Sequence, residues 1–573
     1  MKRILFLLIV LSISIGTQAD NWITISENNT DESNIQLIGS TSNETSLEFN
    51  MSGFWYDIVE TERGSAWTLY VDGSANRLEA TKPELPSFAK SIIIPSQAKM
   101  KAEIISSEYV EYEDILIAPS KGNFDRSIKP SSIAYEYGSQ YERNEFFPSS
   151  LTDLRKPYIL RDHRGQTVVI NPFSYNPVSK VLRVYYNIKI KISEDGISNI
   201  NTITDSQINK NQDINFTNIY KRQFINFNES SSRYDVVEEQ GNMLIICYGD
   251  FMDEMEPYVE WRTKTGTHVE MVDVADIGGS SQIKTYISNY YTDNGLTFVL
   301  LVGDAQQVPS SVIGGNDSDV NYSYIVGSDH YPDLFMGRFS AQTEAHVMTM
   351  VDRTIAYERN PIQMSSWYND AIGIASSEGP GDDNEYDYVH MRNIYDTKLS
   401  TFTYTYGHEL YDGTQGGEDA PGNPSPADVS NAINQGASII NYVGHGSNTA
   451  WSTSGFSNNN VNGLTNTNKL PFIISVACVN GNFVGTTCFA EAWTRAEYND
   501  EPSGAVATFM STINQSWDPP MHGQDAMNDI LAEHVEGNIK RTFGGITMNG
   551  CMEMNDAYGS AGDEMTDTWT IFG

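Results

Sequence analysis

Two short segments of the chain each place a reactive side chain in a turn of small residues that follows an apolar run. Asn441–Ser447 (NYVGHGS) carries His445, and Ser475–Gly481 (SVACVNG) carries Cys478. A thiol beside an imidazole can act as a nucleophile, because the imidazole activates the thiol and later protonates the leaving group. The residue types therefore predict nucleophilic catalysis, with Cys478 as the nucleophile and His445 as the base and acid.

The apolar runs before these two residues predict neighbouring parallel strands of one sheet. Ser438–Val443 and Leu470–Val476 are near-continuous apolar runs, which is typical of strands that are covered on both faces. The intervening segment of about 25 residues is long enough for a crossover connection. We therefore expect His445 and Cys478 at the carboxyl ends of adjacent strands, where open α/β sheets place their sites.

The chain changes in pattern and in charge near residue 233. Residues 20–230 contain short alternating runs such as Leu182–Ile192 and Ala66–Val71, which predict an all-β sandwich, and a polar linker is expected at 199–232. From Met243 onward, strand-like runs alternate with helical stretches, which predicts an α/β domain. Residues 1–233 contain 24 Lys and Arg against 28 Asp and Glu, whereas the rest contains 12 against 46. Such a step indicates two different units.

Composition excludes several classes of function. Residues 1–19 have the basic start, short apolar run and small-residue end of a signal peptide, and no run is long enough to span a membrane, so export is predicted. The net charge of −38 disfavours nucleic acid and anionic membranes and favours cationic peptides, although the acidity could equally serve solubility or calcium binding. The cysteines are too few for a disulfide framework, and neither CxxC nor HExxH occurs, so no transition-metal site is predicted.

Longer stretches of the sequence resemble the gingipain family. NYVGHGSNTAW (441–451) is similar to the histidine segment of that family, and its arginine-specific branch is resembled by ISVACVNGNF, AVATFMSTINQSW, GQDAMNDIL, IKRTFGGITMNG and DTWTIFG. The resemblance runs from about Tyr234 to Gly573. It implies a secreted or cell-surface cysteine endopeptidase with a caspase-like α/β/α catalytic domain of two sub-domains, made as an inactive precursor behind a mainly β pro-domain. The implied organisation is signal peptide 1–19, pro-domain and linker 20–233, first sub-domain 234–366 and second sub-domain 367–573.

The resemblance assigns catalytic roles beyond the Cys/His pair. Glu378 matches the residue that orients the imidazole, although it could instead be one solvated loop acid among several that follow it. The backbone N–H groups of Gly446 and Cys478 match the two donors of an oxyanion hole, where glycine allows close approach. His330 is the rival histidine, and its setting before a Pro turn favours a structural hydrogen bond.

The resemblance also suggests how the substrate side chain is selected. Asp387 matches the acid at the floor of the pocket, where a carboxylate can bind a guanidinium through two parallel hydrogen bonds. Trp517 matches the aromatic residue that covers the pocket, and Met521 stands where lysine-specific relatives carry an acid. Val443 replaces a threonine and removes one hydroxyl contact. Asp518 adds a second acid, which would allow lysine to be accepted as well if its carboxylate turned inward.

Maturation, cofactors and partners are likewise implied by the resemblance. The mature segment would begin after Arg233, and Arg126 is a second candidate for cleavage, its alternative being an ordinary surface arginine. The expected partners are protein and peptide substrates with Arg at the cleaved bond, and the pro-domain as an inhibitor. Structural Ca²⁺ is the one cofactor expected, with ligands that the sequence does not identify, and no redox or organic cofactor is expected.

Two alternatives to an arginine-specific endopeptidase stay open from the sequence. The first is the same enzyme with lysine or mixed preference, which Asp387, Met521 and Asp518 would decide. The second is a catalytically silent secreted binding protein on the same scaffold, against which the intact Cys478, His445 and Gly446 argue. An immunoglobulin-like module and a sorting domain normally follow the catalytic domain in the family, so the route of secretion and the mode of surface attachment are not predicted.

Overall fold

The computed structural model describes residues 21–25, 34–204, 213–228, 241–533 and 542–573. The predicted signal peptide and the predicted processing site at Arg233 lie outside these residues. Within them, no helix has both the length and the apolar character needed to cross a bilayer.

The pro-domain consists mainly of antiparallel strands. They are β1 (Asn21–Thr24), β2 (Asn34–Ser40), β3 (Glu44–Asn50), β4 (Gly53–Thr61), β5 (Gly64–Tyr70), β6 (Ala75–Asn76), β7 (Pro86–Ile93), β8 (Ala98–Tyr112), β9 (Thr152–Leu154), β10 (Tyr158–Leu160), β11 (His163–Ile170), β12 (Phe173–Asn176) and β13 (Val181–Ile197). One sheet has the order β1-β4-β5. A second has the order β10-β11-β7-β6 with β9 also on β11, and a third has the order β12-β13-β3-β2 with β8 also on β13.

The core of the pro-domain lies between its second and third sheets. In β3 every second residue is buried, so that Leu47 and Phe49 face inward, as expected for a strand with one covered face. The ring of Phe49 lies 4.9 Å from that of Phe88 on β7, in the facing sheet. The predicted β-rich pro-domain is therefore confirmed.

The predicted polar linker contains a helix, α1 (Ile214–Gln223). Its buried residues Phe216, Ile219 and Tyr220 follow the three-and-four spacing that places apolar side chains on one helix face. The carboxylate of Asp213 caps the helix by accepting the N–H of Asn215 at 2.8 Å. The Ser- and Asn-rich flanks conceal this short pattern, so an uninterrupted polar linker was the wrong expectation.

The part of the chain predicted to be catalytic contains one ten-stranded sheet with the order β15-β14-β16-β19-β30-β29-β26-β22-β20-β21. Its strands, and three small hairpins or ribbons outside it, are β14 (Asn242–Cys247), β15 (Val269–Asp273), β16 (Leu296–Val302), β17 (Val312–Ile313), β18 (Asn316–Asp317), β19 (Phe335–Phe339), β20 (Asp370–Ala375), β21 (Tyr406–Tyr411), β22 (Ile439–Val443), β23 (Gly446–Ser447), β24 (Ala450–Trp451), β25 (Phe456–Ser457), β26 (Phe472–Val476), β27 (Glu497–Tyr498), β28 (Glu501–Pro502), β29 (Ala507–Ser511) and β30 (Trp569–Phe572). The pairing of β29 with β30 is antiparallel and the other pairings in the sheet are parallel. The two predicted sub-domains therefore share one continuous sheet.

Helices cover both faces of this sheet. They are α2 (Met252–Lys264), α3 (Val274–Ile277), α4 (Ser280–Asn294), α5 (Glu344–Arg359), α6 (Asp387–Asn393), α7 (Pro426–Gln435), α8 (Asn458–Val461), α9 (Phe489–Arg495), α10 (Asp518–Leu531), α11 (Phe543–Tyr558) and α12 (Ser560–Thr568). Ile440 and Tyr442 of β22 pack in the core with α7 and α9, whereas Ile439 and Val443 pack in the core with α6, α10 and α11. The α/β/α architecture is confirmed.

The register of the sheet aligns the strand ends that carry the predicted site. Val443 of β22 pairs with Val476 of β26 on one side and with Ala375 of β20 on the other. The segments that follow these three residues carry His445, Cys478 and Glu378. All three segments leave the sheet at the carboxyl ends of its parallel strands. The predicted parallel pairing of the two apolar runs is confirmed.

The pro-domain packs directly against the catalytic part. Arg155 donates to the carbonyl of Ala557 at 2.8 Å, and Arg222 forms an ion pair with Glu553 at 2.7 Å. Asp556, on α11 beside Glu553, accepts hydrogen bonds from the pro-domain. These contacts join the pro-domain and the linker helix to the α11 region.

Candidate active site

Gly446 lies where the His445 turn meets the Cys478 turn. A Cβ atom at position 446 would lie 2.5 Å from the carbonyl oxygen of Cys478 and 2.9 Å from the Cβ of Ala477. Because real Cβ atoms do not approach backbone so closely, only glycine fits here. Because Gly446 has no side chain, the two backbone segments can lie in contact at the carboxyl ends of the parallel strands.

The Cys478 turn is held by its own hydrogen bonds. Val479, directly after the cysteine, has φ of +50°, which is a strained conformation for a β-branched residue. Its N–H donates to the carbonyl of Ile513 at 2.9 Å. The side-chain amide of Asn480 donates to the carbonyl of Ser447 at 2.7 Å and so ties the cysteine turn to the histidine turn. The strain and its compensating bonds fix the position of the thiol.

The imidazole of His445 is hydrogen-bonded to Glu378. Its Nε2 lies 2.8 Å from Oε2 of the glutamate. The other carboxylate oxygen of Glu378 accepts from the ammonium of Lys129, a pro-domain residue. Partial burial would raise the pKa of Glu378, but the hydrogen bonds from Lys129 and His445 outweigh it and lower the pKa. The glutamate is therefore ionised and can orient an imidazole.

Cys478 is buried, with 5% of its surface exposed. Burial raises the pKa of its thiol, and the Asp125 carboxylate adds to this effect. The N–H of Gln515 and the positive charge of Arg126 oppose the shift without cancelling it. In the precursor the neutral thiol is therefore favoured over the nucleophilic thiolate.

Asp387, the predicted floor of the substrate pocket, lies beside this site. It is the first residue of α6 and is fully buried. Its backbone N–H donates to the carbonyl of Glu378 at 2.9 Å, and its carboxylate accepts the hydroxyl of Ser376 at 2.5 Å. The pocket acid and the histidine partner therefore belong to one braced loop after β20.

Arg126 of the pro-domain occupies this pocket. Its guanidinium donates from one nitrogen to both carboxylate oxygens of Asp387, at 2.9 and 3.0 Å. The carbon of the guanidinium lies 4.4 Å from the ring centre of Trp517. The side chain is fully buried, so the expectation of an ordinary surface arginine at this position is wrong. Its burial depends on an acid 261 residues away in the sequence, which no local pattern reveals.

The remaining predicted pocket residues lie around this ion pair at different depths. Met521 and Val443 are fully buried in the apolar cluster beneath the pocket. The sulfur of Met521 packs against Gly381, where a Cβ would lie 2.5 Å from it. Asp518 is the first residue of α10, and burial, together with Asp382, raises its pKa well above the ordinary value. The guanidinium of Arg126 is bonded to Asp387 and to backbone carbonyls.

The backbone around Arg126 pairs with the segment before α10. The N–H of Arg126 donates to the carbonyl of Gln515 at 2.8 Å, and Asp125 forms an antiparallel bridge with Ser516. The indole N–H of Trp517 donates to the carbonyl of Ile128 at 2.9 Å. The arginine is thus presented beside Cys478 by β-type pairing, the mode in which many sites bind extended peptides.

Sequence reasoning missed Ser376, Asn480 and Lys129, which brace or contact the site. Ser376 directly follows β20, and this place at a strand end was the one available signal. His330 lies apart from the site and its Nδ1 is 2.8 Å from Asp567. This hydrogen bond raises the pKa of His330, in keeping with the structural role expected for it. All four cysteines are free and buried.

Comparison with known proteins gives the same division of the chain. The profile of Peptidase family C25 matches residues 237–573, and that of Propeptide_C25 matches residues 26–230. Gingipain R2 of Porphyromonas gingivalis is 40% identical over 548 residues, which cover 94% of this chain and 73% of the relative. Lys-gingipain HG66 of the same organism is 25% identical, over 96% of this chain and 31% of its own length.

Solved structures agree with these sequence matches. The crystal structure of the Arg-specific cysteine proteinase gingipain R superposes with a TM-score of 0.56 at 43% identity, covering 59% of this chain and 79% of that one. The complex of the P. gingivalis RgpB pro- and mature domains gives a TM-score of 0.55 at 43% identity, covering 58% and 78%. A propeptide region and a peptidase region are thus both matched, and the chain belongs to peptidase family C25.

Proposed function

We propose that the chain is the precursor of a cysteine endopeptidase that cleaves peptide bonds after arginine. The observation that carries this proposal is the placement of Arg126, whose guanidinium is paired with Asp387 while its backbone lies beside Cys478. A substrate arginine bound in the same way would place its carbonyl carbon near the thiol. The similarity to gingipain R2 supports the same specificity.

Each residue around Cys478 has a separate role in the reaction. The thiolate attacks the carbonyl carbon, and the N–H groups of Gly446 and Cys478 stabilise the negative oxygen that forms. His445, held by Glu378 at 2.8 Å, protonates the departing amine and then activates the water that hydrolyses the thioester. Glu378 favours the charged imidazole and keeps its ring in place.

The pocket favours arginine over lysine. Trp517 lies over the flat guanidinium, and Asp387 accepts from it with both oxygens, whereas an ammonium is a point charge without this planar shape. Asp518 is the weaker candidate for binding a basic side chain, because the guanidinium of Arg126 donates to Asp387 and to backbone carbonyls instead of to Asp518. A strong preference for arginine is the expected result.

Hydrolysis of matched fluorogenic peptides ending in Arg or Lys tests this function. The activated protein should cleave the Arg peptide at least about tenfold faster, because an ammonium paired with Asp387 cannot also stack a planar face on Trp517 and reach the backbone carbonyls of Ser516 and Trp517. Cys478→Ala is the matched control and should abolish both activities. Equal cleavage of the two peptides would indicate a mixed pocket. A folded protein that cleaves neither peptide would favour a binding protein.

The same contacts support a proposal for maturation. Arg126 fills the pocket and Lys129 engages Glu378, so the pro-domain blocks both selection and catalysis until it is removed. Cleavage after Arg233 by the enzyme's own specificity would sever the pro-domain from the catalytic part. The basic start and apolar run of residues 1–19 support export, with action outside the cell or at its surface.

Calcium is proposed as a structural ion, and one acidic group has suitable donors. In the described residues, carboxylate oxygens of Asp382, Asp383 and Asp525 lie within 4.8 Å of one another, and oxygen ligands suit Ca²⁺. Burial, together with neighbouring acids, raises the pKa of Asp383 well above its ordinary value, a repulsion that a cation would relieve. His522 and Lys398 already offset part of this charge, so modest affinity is expected.

Thermal unfolding with and without calcium tests this site. Ca²⁺ should raise the Tm of the precursor, and Asp383→Asn should remove most of that increase because it removes one charged ligand. Asp293→Asn, in the exposed last turn of α4, is the matched control. An increase of the same size in Asp383→Asn would place the ion elsewhere.

A further inference from the structure

The bond that follows Arg126 lies in a tight turn of the pro-domain. Arg126 and Ser127 are the two central residues of this turn, which closes when the N–H of Ile128 donates to the carbonyl of Asp125 at 3.1 Å. The carboxylate of Asp125 also accepts the N–H of Ser127 at 2.8 Å. This side-chain bond to the residue two positions onward is an Asx-turn, which stabilises the bend.

The turn begins where the extended pairing ends. Asp125 still forms the bridge with Ser516, and the N–H of Arg126 still donates to Gln515. After Arg126 the chain bends back, and the indole of Trp517 holds the carbonyl of Ile128 at 2.9 Å. The segment therefore binds as a substrate does up to the arginine and departs from an extended path directly after it.

Asp125 acts on the site in a second way, through its charge. Burial raises the pKa of Cys478, and the Asp125 carboxylate raises it further. The same side chain therefore bends the chain after Arg126 and disfavours the thiolate that would attack it. Both effects oppose cleavage of a bond whose arginine is already bound in the pocket.

We propose that Asp125 makes this segment an inhibitor instead of a substrate by locking the Arg126–Ser127 bond in the turn and retaining the Ser127 nitrogen. The inference rests on the proposed cleavage after arginine. It implies that the enzyme hydrolyses an arginyl bond poorly when an aspartate before the arginine can close the same turn. One neighbouring residue thus decides whether binding of an arginine is followed by cleavage of the bond after it.

Retention of the nitrogen has a chemical consequence. Attack by the Cys478 thiolate on the Arg126 carbonyl carbon forms a thioester as the bond to Ser127 breaks, and the released nitrogen takes up a proton to become an amine. While Asp125 holds that amine beside the thioester, its attack on the carbonyl carbon reforms the peptide bond, releases the proton and restores the thiolate. Proximity favours this reversal over hydrolysis by a diffusing water.

The full-length precursor with Asp125→Ala or Asp125→Asn tests the proposal. The accumulation of chains cut between Arg126 and Ser127 is followed over time by intact mass measurement. Asp125→Ala removes the acceptor and should accelerate the cut at least about tenfold over the native precursor, whereas Asp125→Asn keeps an acceptor oxygen and should stay within about threefold. Equal rates for the alanine variant and the native chain would overturn the proposal. A cut in the asparagine variant as fast as in the alanine variant would overturn the turn lock.

A reference measurement separates failure of this inference from failure of the proposed function. Each preparation, once activated, is assayed with an Arg fluorogenic peptide, and the Cys478→Ala precursor gives the background. Absence of thiol-dependent hydrolysis would overturn the proposed function itself. Hydrolysis of the peptide together with a native rate of cutting in Asp125→Ala would overturn the role of Asp125 alone.

Discussion

At the scale of single residues, the site depends on side chains that each have two partners. Glu378 accepts from His445 with one oxygen and from Lys129 with the other. Asp387 accepts from Ser376 and from Arg126. Because both acids lie in the segment after β20 and Asp387 bonds to the carbonyl of Glu378, the roles proposed for them in substrate selection and in orientation of the imidazole depend on the same segment.

Replacement of Asp387 should weaken the binding of a substrate arginine in the pocket. Asp387→Asn should lower kcat/KM for Arg peptides by at least about a hundredfold, because loss of a buried partner to a charged group costs about 3 kcal/mol or more. Asp518→Asn is the matched control, and an effect below about threefold is expected because the guanidinium in the pocket bonds to Asp387 and not to Asp518. Similar losses in the two variants, measured as kcat/KM with one Arg peptide, would show that both acids bind the guanidinium.

At the scale of elements, α10 connects the pocket to the rest of the catalytic part. The helix begins directly after Trp517 and buries Met521 under the pocket. The Nδ1 of His522 lies 3.0 Å from Asp382, in the loop that also carries Asp387. This contact holds the start of the helix against the loop that forms the pocket floor.

The stability contributed by this contact should depend on pH. Burial alone would lower the pKa of His522, but Asp382 outweighs it and raises the pKa to about 9. Because the folded pKa exceeds the unfolded value of about 6.5, the stabilisation is complete below pH 6.5 and is lost as the pH rises to about 9. His522→Asn should therefore lower the free energy of unfolding by about 3 kcal/mol at pH 6 and by much less at pH 9.5.

Urea unfolding of the precursor at the two pH values measures this difference. The exposed His268 provides the matched control, and His268→Asn should have little effect at either pH. A cost for His522→Asn that is the same at pH 6 and pH 9.5 would mean that packing, and not the charge on the imidazole, stabilises this end of α10.

The elements were predictable where the pattern is local and strong. The apolar runs of β22 and β26 indicated buried parallel strands, and their ends indicated the Cys/His turns. The helix α1 was not predicted, because its three buried apolar residues lie in a polar context and pack largely against α11 and other residues distant in sequence. The burial of Arg126 likewise depends on Asp387 and Trp517, which are distant in sequence. Long-range contacts of this kind leave no local signature.

At the scale of the whole molecule, the pro-domain is attached at several separate places. One is the Arg126 segment in the pocket, another is the α11 region, where Arg222 pairs with Glu553 and Arg155 bonds to Ala557, and a third is β10, which bonds to Asp329. Attachment at several places raises the effective concentration of the inhibitory segment. Loss of one contact should therefore weaken latency without detaching the pro-domain.

Removal of the inhibitory arginine should make the uncut precursor active. In a background that carries Arg233→Gln to limit processing, Arg126→Ala should raise hydrolysis of an Arg peptide at least about tenfold, because the pocket is no longer filled by a buried ion pair. Arg143, which forms an exposed pair with Glu145, is the control, and Arg143→Ala should leave the precursor latent. An Arg126→Ala precursor that does not hydrolyse the Arg peptide would show that steric blocking of the site by the rest of the pro-domain is sufficient for latency.

The position of β30 has a consequence for the timing of assembly. This strand lies in the middle of the sheet, between β19 and β29, although it comes from residues 569–572, far downstream of the other strands. A ribosome releases the pro-domain and both halves of the catalytic part before this strand. The sheet that spans the two halves cannot be completed until it emerges, by which time the inhibitory segment has already been synthesised. A nascent chain should therefore acquire its inhibitor before it completes the sheet that supports its active site.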